Sequence, residues 1–200
     1  LDIRESFSDI CGELKKIIPF DRACLITSNE QGQWFQVFAL TKNYNFSEIN
    51  EGECFPISGS LLEEIIKTGE PVIVNNTQTG RLWTARVLYE ERIRARLGFP
   101  LTYQGKVLGA LTFGSEKANS FSEQCYYYLW QLAPQLAIAL ENTKLFNRIK
   151  ASEERYKTLF NHAADSMVMI DLNGKILTVN QREEEIIGYK MEELLGKYIY

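Results

Sequence analysis

Histidine and cysteine are scarce in this sequence of 200 residues, which contains one histidine and four cysteines. The cysteines, Cys11, Cys24, Cys54 and Cys125, are scattered without CxxC spacing, which argues against a zinc site and fits free thiols in a reducing compartment. Long apolar runs are also missing, because none reaches the roughly 18 residues that a membrane-spanning helix requires. We therefore expect a cytoplasmic segment with no metal site and no membrane span of its own.

Charge of one sign is not concentrated in any part of the chain. The net charge is −4, from 22 basic and 26 acidic residues, and it is spread over both halves. Nucleic acid is therefore not an expected ligand. The amino terminus has no basic-then-apolar leader. The first residue is Leu1 rather than Met, so we expect a fragment of a longer protein.

Recognisable catalytic motifs are missing as well. The sequence has no Gly-rich phosphate loop, no HExxH or GxSxG motif and no carboxylate pair at useful spacing. The single histidine, His162, lies in the run FNHAAD, and the Glu-Leu-Arg-Thr-Pro-like run of a phospho-accepting histidine does not follow it. We interpret His162 as a surface or helix-end residue and expect no catalytic residue in this fragment.

The apolar patterns that are present predict an α+β fold. Apolar residues at three- and four-residue steps predict an amphipathic first helix that stops at Pro19, and β-prone runs predict two hairpins. The expected order is helix 3–18, strands 23–28 and 34–40, loop 52–59, helix 61–68, strand 71–74, loop 75–91, strands 92–102 and 106–114, and a long helix 121–160. We expect an antiparallel sheet with flanking helices that pack on one side of it.

Three stretches of this first part resemble the GAF domain family. They are GFPLTYQGKVLGALTFG at 98–114, FSE at 121–123 with LAPQLAIALEN at 132–142, and GEPVIVN at 69–75. The resemblance covers about residues 3–146. It implies a small-molecule or regulatory module whose ligand lies between the sheet and the loops over it.

The same resemblance limits the cofactors that we expect. GAF domains that bind haem use a histidine, and residues 1–161 contain none. Those that attach a bilin use a cysteine that is commonly followed by histidine, whereas none of the four cysteines here precedes a histidine. We therefore predict no cofactor, neither haem nor a covalent bilin, and leave a small-molecule ligand of unidentified chemistry.

One group of candidate ligand contacts is aromatic. Trp83 and Tyr89, with Cys54 and Phe55, could wall a mostly apolar pocket, or they could simply close the core. Cys54 also raises an alternative from another class, a thiol-dependent enzyme that reduces an oxidised thioether, because it is the cysteine that lies in a plausible loop. The sequence leaves both questions open.

The other group of candidate contacts is basic. Arg92, Arg94 and Arg96 alternate, so in a strand they would share one face. An anion could bind at Arg94 and Arg96, because a guanidinium group matches a carboxylate or phosphate. The alternative is a solvated face whose arginines pair with Glu90 and Glu91.

The later part of the long helix carries a narrow apolar seam that is typical of a two-stranded coiled coil. Its members follow strict four- and three-residue steps: Ile138, Asn142, Leu145, Ile149, Ser152, Tyr156 and Leu159. We expect this seam to pair with its copy in a homodimer. The polar members Asn142 and Ser152 would fix the register at a cost in stability.

The last part of the chain resembles the opening half of a PAS domain. Strands 167–171 and 176–180 are joined by Asn173-Gly174, a strong hairpin signal, and two short helices follow, ended by Gly188 and Gly196. A PAS sheet needs three more strands, and a two-stranded sheet is marginal in water. We expect residues beyond about 155 to pack on a neighbouring chain, or to be a truncated domain.

These observations divide the chain into a GAF-like sensory domain at 1–141, a helical coiled-coil connector at 142–157 and a truncated PAS-like segment at 158–200. The resemblance implies the sensory and relay region of a bacterial multidomain signalling protein, a two-component sensor histidine kinase whose output domain lies in the same chain. Its GAF-like domain would bind a small molecule or mediate dimerisation, and would transmit through the helix to the PAS-like segment. A cyclic-di-GMP signalling protein or a transcription activator is the alternative, because both use the same sensors.

Overall fold

The computed structural model describes residues 3–29, 31–42, 49–77 and 83–199, and at 4, 5, 42 and 83–86 it describes the backbone alone. The chain forms two compact units, Leu1–Thr143 and Lys144–Tyr200. The elements are α1 Ile3–Leu14, β1 Arg22–Ser28, β2 Trp34–Lys42, β3 Cys54–Pro56, α2 Leu61–Thr68, β4 Val72–Val74, α3 Trp83–Glu90, β5 Ala95–Tyr103, β6 Lys106–Ser115, α4 Gln124–Asn161, β7 Val168–Ile170, β8 Ile176–Val179, α5 Gln181–Ile187 and α6 Met191–Leu194.

Six strands of the first unit form one antiparallel sheet in the order β3-β2-β1-β6-β5-β4. The two predicted hairpins, β1–β2 and β5–β6, are confirmed. The second closes through Gln104 and Gly105, whose φ angles of 49° and 77° are those of a two-residue hairpin turn. The loop predicted over 52–59 was partly wrong, because β3 pairs there with the start of β2. Pairing of so short an edge strand leaves no local pattern in the sequence.

One face of the sheet is covered by α1 and the first part of α4. Phe7 of α1 and Leu129 of α4 are buried in the same apolar cluster as Leu97 and Phe99 of β5. The ring of Phe99 meets the indole of Trp130 edge-on, with 4.9 Å between ring centroids. The beginning of the long helix is therefore part of the first unit's core.

The opposite face is covered by α2 and α3. Helices therefore flank the sheet on both sides, and the expectation that they pack on one side only was wrong. Leu61 and Ile65 of α2 and Leu88 of α3 are buried there. A Cβ atom on Gly98 of β5 would lie only 2.6 Å from Ile65 and 2.7 Å from Leu61, so α2 crosses β5 closely. The predicted loop 75–91 contains α3, whose eight residues span about two turns, too short for a clear periodic signal.

Helix α4 is continuous over 38 residues, includes Pro134, and runs from the first unit into the second. In the second unit, β7 and β8 form the predicted hairpin, and α5 ends at Gly188 with a φ of 77°. The buried side chains of its described residues are Ile176, Val179 and Asn180. Packing of this unit against a neighbouring chain or further strands stays a prediction.

None of the helices in the described ranges combines the length and the apolar character that crossing a membrane would demand.

Candidate ligand-binding site

A cavity of about 50 Å³ lies in the first unit, between the sheet face under α2 and α3 and those two helices. Since a single water needs roughly 10–15 Å³ by this measure, the cavity holds about three to five water-sized atoms. Its lining is mostly apolar. The residues are Arg22, Cys24, Ile26, Phe35, Val37, Ile49, Ser60, Leu61, Leu62, Leu88, Arg96, Thr112, Phe113 and Gly114.

Two arginines stand in the same row of the cavity floor, two strands apart. Arg22 of β1 and Arg96 of β5 are both registered with Gly114 of β6, so the three residues form one row across three strands. Strands in a sheet lie about 4.8 Å apart, and residues in one row share a face. Gly114 has no side chain of its own, and the side chain of Ile93 lies over this position, 3.1 Å from where a Cβ on Gly114 would be.

Arg22 forms a buried ion pair with Glu91, with only 6% and 1% of the two side chains exposed. Glu91 follows α3 directly, and Arg92 then takes a left-handed conformation with a φ of 65°. Thr77 fixes the next residues, because its hydroxyl donates to the carbonyl of Ile93 at 2.7 Å. The chain after α3 is thus held in the position that brings the Glu91 carboxylate to Arg22.

The environment of Arg96 is electropositive. Burial, and after it the positive charge of Arg22, lower the pKa of Arg96 to about 10. Arg96 nevertheless stays protonated at neutral pH. Arg22 and Arg96 are the charged side chains among the described residues that line the cavity, and Arg22 is paired with Glu91.

The thiol in the cavity lining is Cys24. Burial raises the pKa of Cys24 to about 11, although the positive charge of Arg22 acts against this, so the thiol is protonated at neutral pH. The thiolate is the nucleophilic form of cysteine. Cys24 therefore contributes an apolar wall rather than a reactive group.

Of the six pocket residues that the sequence suggested, the structure places Arg96 in the cavity lining. Cys54 is exposed on β3, and the ring of Phe55 packs on that of Phe35. The side chain of Trp83 lies outside the described part of the chain. The guanidinium group of Arg94 stacks on the ring of Tyr89, 3.9 Å from its centroid, and donates to the carbonyl oxygen of Tyr89. Cys54, Phe55, Tyr89 and Arg94 are not among the described residues that line the cavity. The predicted alternation was wrong, because β5 begins at Ala95 and neither Arg92 nor Arg94 belongs to it.

Arg22 was not singled out from the sequence. It opens the strand RACLITS, whose residues are otherwise apolar or small, and every residue from Arg22 to Thr27 is buried. An arginine in such a strand is a signal, because charged side chains are seldom fully buried without a partner. That signal would have found the second cavity arginine.

The seam residues of α4 are all exposed in the single chain. The exposed fractions of its large apolar members range from 44% for Leu145 to 67% for Leu159. Asn142 and Ser152 are exposed as well. The described residues of this chain therefore leave the seam open to solvent.

An antiparallel six-stranded sheet between two helical layers, with a small cavity on one face, defines an α+β module. The sequence model of the GAF domain matches residues 1–141, and that of the PAS fold matches residues 154–200. The chain belongs to the GAF domain family and continues into a PAS-fold segment.

Relatives and solved structures agree with this assignment. A methyl sulfide methyltransferase-associated sensor of Methanosarcina acetivorans is 28% identical over 93 residues, which cover 46% of this chain and 9% of that protein. The GAF domain of a two-component sensor histidine kinase from Bacillus halodurans superposes with a TM-score of 0.63 at 19% identity, over 72% of this chain and 96% of that one. The chain thus spans about a tenth of the length of the curated relative.

A further solved structure of the same fold is the phycocyanobilin-bound GAF domain of a cyanobacterial phytochrome, with a TM-score of 0.57 and 19% identity over 72% of this chain and 87% of that one. At this identity the likeness establishes the fold alone. In this chain, the described residues contain no group of three or more His, Cys, Asp or Glu that could hold a metal ion.

Proposed function

We propose that this chain is the sensory and relay region of a multidomain signalling protein, in which the cavity of the GAF domain binds a small molecule. The observation that carries the proposal is the cavity itself, which lies between the sheet, α2 and α3 and combines mostly apolar walls with two buried arginines. Small-molecule sites have this composition, with mostly apolar walls and a few fixed polar groups. The name of the Methanosarcina relative, a sensor, supports the same class.

The relay in this proposal is α4. Its first part packs on the sheet, and the same uninterrupted helix enters the PAS-fold segment. The exposed seam on its later part has the spacing of a parallel two-stranded coil, so the partner that fits is a second copy of this chain. A change in the GAF domain can then bias the pairing of the two helices, provided that the ligand binds one pairing better than the other.

For the whole protein we propose a two-component sensor histidine kinase, with this segment having no catalytic role of its own. The Bacillus halodurans domain, which belongs to such a kinase, supports this choice over a cyclic-di-GMP signalling protein or a transcription activator. A shared fold supports this choice by analogy with known proteins, and the identity of the output domain would distinguish among the three classes of signalling protein.

The thiol-enzyme alternative is disfavoured by the position of the cysteines. Reduction of an oxidised thioether needs one thiol that attacks and another that resolves the product. Cys54 is outside the cavity lining, and the cysteine inside it, Cys24, has a raised pKa. A binding module therefore accounts better for the site.

A cavity-filling substitution tests the binding function. Thr112 lines the cavity, so Thr112→Ile adds an apolar group to the space where a ligand would lie, and Thr102→Ile makes the same change at an exposed position of β5. We expect compounds from a small-metabolite library that raise the melting temperature of the wild type to act equally on Thr102→Ile and to lose their effect on Thr112→Ile. Equal shifts in all three proteins, or no shift from any compound, would contradict the proposal.

A further inference from the structure

The cavity between the sheet and helices α2 and α3 restricts what its ligand can be. This inference rests on the proposed binding function and adds the chemical class of the ligand. The side chains around the space are mostly apolar, with Leu61, Leu62 and Leu88 on the helical side and Ile26 and Val37 on the sheet. A ligand in this position would therefore make most of its contacts with hydrocarbon.

The hydroxyl groups of the lining are already used within the chain. The hydroxyl of Ser60 donates to the carbonyl oxygen of Ile57 at 2.6 Å, and that of Thr112 donates to the carbonyl oxygen of Cys24 at 3.2 Å. Over the described residues, every buried side-chain nitrogen or oxygen atom has a hydrogen-bond partner. In that part of the chain, the cavity thus presents no unpartnered polar side-chain atom that a ligand would have to satisfy.

The two arginines of the lining are engaged as well. Arg22 is paired with Glu91 in a buried position, and the backbone N–H of Glu91 donates to the carbonyl oxygen of Val87, so the chain holds this carboxylate at the end of α3. Arg96 likewise is not without a partner in the chain. An anion would have to compete with a carboxylate that is already in place, and a cation would be repelled by both guanidinium groups. Burial of a charge without a partner is costly, so a charged ligand of either sign is disfavoured.

The volume of the cavity limits the size of the ligand. About 50 Å³ corresponds to about three to five water-sized atoms. A short hydrocarbon group of this size gains from contact with the apolar walls, because its transfer out of water is favourable. A polar ligand of the same size would lose its hydrogen bonds to water and gain few in return.

We propose that the cavity of the GAF domain binds a small, neutral, apolar molecule of about three to five non-hydrogen atoms. The aliphatic side chains of α2, α3, β1 and β2 hold it by contact alone. The buried ion pair between Arg22 and Glu91 keeps the walls of the cavity in place and does not receive the ligand.

Three probes of one shape test the chemical class. The molecules 2-methylpropene, acetone and acetate have the same planar branched skeleton, but the first is apolar, the second polar and neutral, and the third charged. NMR titration of the purified chain, labelled with ¹³C in its methyl groups, should show that 2-methylpropene binds at least tenfold more tightly than acetone and that acetate causes no saturable shifts. Intermolecular NOEs should connect 2-methylpropene to the methyl groups of Leu61, Leu62 or Leu88.

Two substitutions of conserved size and opposite polarity locate the site. Val37→Thr introduces a hydroxyl into the apolar wall and should weaken 2-methylpropene binding about threefold or more, whereas Thr112→Val removes a hydroxyl and should leave the affinity unchanged or raise it. Val72→Thr makes the first change on β4, at a residue that is not among the described lining, and should bind as the wild type does. Circular dichroism first compares each variant with the wild type. If Val37→Thr does not fold, the three probes on the wild type and the Thr112→Val variant decide the matter.

The outcomes separate this inference from the proposed function. Acetone or acetate that binds as tightly as 2-methylpropene overturns the apolar class and leaves a cavity that binds another kind of ligand. Weaker binding in a folded Thr112→Val variant means that the ligand uses the hydroxyl, and unchanged binding in a folded Val37→Thr variant means that it lies elsewhere; either result overturns the inference. Absence of binding by all three probes also overturns it, whereas the Thr112→Ile comparison with library compounds still tests the cavity.

Discussion

Arg22 and Glu91 are 69 residues apart in the chain, and their side chains form an ion pair in the interior of the GAF domain. The pair joins β1 to the end of α3 and so fixes one wall of the cavity. Partners so far apart cannot be found from local sequence patterns. Their energetic effect is nevertheless open to measurement.

Glu91→Leu should destabilise the domain by about 3–5 kcal/mol, because it leaves the buried charge of Arg22 without its carboxylate. The double variant Arg22→Met with Glu91→Leu should recover most of that loss, since an apolar pair of similar volume replaces a buried ion pair at little cost. Urea unfolding followed by circular dichroism gives both values.

The control for this prediction is Lys67→Met, which breaks the exposed pair between Lys67 and Glu63 on α2. Exposed pairs of this kind contribute little, so the unfolding curve should hardly move. A Glu91→Leu variant as stable as Lys67→Met would show that the buried pair does not hold the domain together.

Gly109 should not tolerate a side chain. A Cβ atom at this position of β6 would overlap the carbonyl oxygen of Ile26 and lie 2.9 Å from the Cα of Thr27, both of which are backbone atoms of β1 that cannot rotate away. We expect Gly109→Ala to destabilise the first unit by about 1–3 kcal/mol, measured by thermal unfolding.

Gly12 provides a matched control for that substitution, because it lies in α1 with no atom within 4 Å of the added Cβ. Gly12→Ala should stabilise the protein by about 0.5–1 kcal/mol, the difference in helix propensity. The two glycine variants should therefore shift the melting temperature in opposite directions, and shifts of the same sign would refute the packing described for β1 and β6.

Cysteine accessibility separates one thiol from the other three. Cys54 is exposed, whereas Cys11, Cys24 and Cys125 are buried. Burial raises the pKa of Cys11 to about 12 and that of Cys24 to about 11, so neither forms a thiolate at pH 7.5.

Iodoacetamide at pH 7.5 should consequently label one thiol of the folded chain and four in urea, as counted by intact-protein mass spectrometry. Cys54→Ser should abolish the labelling of the folded protein, and Cys24→Ser should leave it unchanged. Rapid labelling of Cys24 would mean that the cavity floor is open to solvent.

The strongest agreement between sequence and structure is found where the determinants are local. The turn at Gln104 and Gly105, the αL end of α5 at Gly188 and the α4 helix all follow from residue types at neighbouring positions. Only a few chain conformations satisfy such short-range requirements, so the local sequence is sufficient to predict these features.

The cavity could be predicted only in part, because it is made by residues distant in sequence. Arg96 was found from a run of arginines, yet the alternation that suggested it was wrong, and Arg22 reaches the same row through strand pairing with β6. Likewise, Trp83 and Tyr89 were expected in the loop 75–91 and instead belong to the short helix α3. Tertiary pairing decides both outcomes.

Asn180 holds together the PAS-fold segment and the end of α4. Its side chain is buried, donates to the carbonyl oxygens of Phe160 at 3.1 Å and Asp165 at 2.9 Å, and accepts from the backbone N–H groups of Met167 and Glu183. Asn180→Asp keeps an oxygen that accepts from these two N–H groups but replaces the donor NH₂ by a carboxylate oxygen that faces two carbonyl oxygens.

We therefore expect Asn180→Asp and Asn180→Ala both to increase amide hydrogen exchange in β7 and α5, with Gln181→Ala as the exposed neighbouring control. If Asn180→Asp exchanged as slowly as the wild type, the donor bonds to α4 would not contribute to holding the segment.

The seam on α4 leads to the last prediction, a homodimer whose helices meet along it. Leu145 and Ile149 are 44% and 66% exposed in the single chain, and pairing with a second copy would bury these apolar side chains. Leu145→Glu and Ile149→Glu should therefore each produce a monomer in sedimentation velocity at micromolar concentration. Asn147→Glu, which introduces the same charge at an exposed position off the seam, should remain dimeric.

Asn142 provides a test of the helix register, because non-specific association of apolar surfaces would not depend on this residue. A polar residue in a seam lowers stability but allows one alignment, so Asn142→Leu should tighten the dimer while permitting shifted pairings or higher oligomers. Disulfide trapping at single cysteines placed on the seam distinguishes these alignments. A wild type that is monomeric at high micromolar concentration, or an Asn142→Leu variant with unchanged dimer affinity and alignment, would show that the seam has no part in the relay.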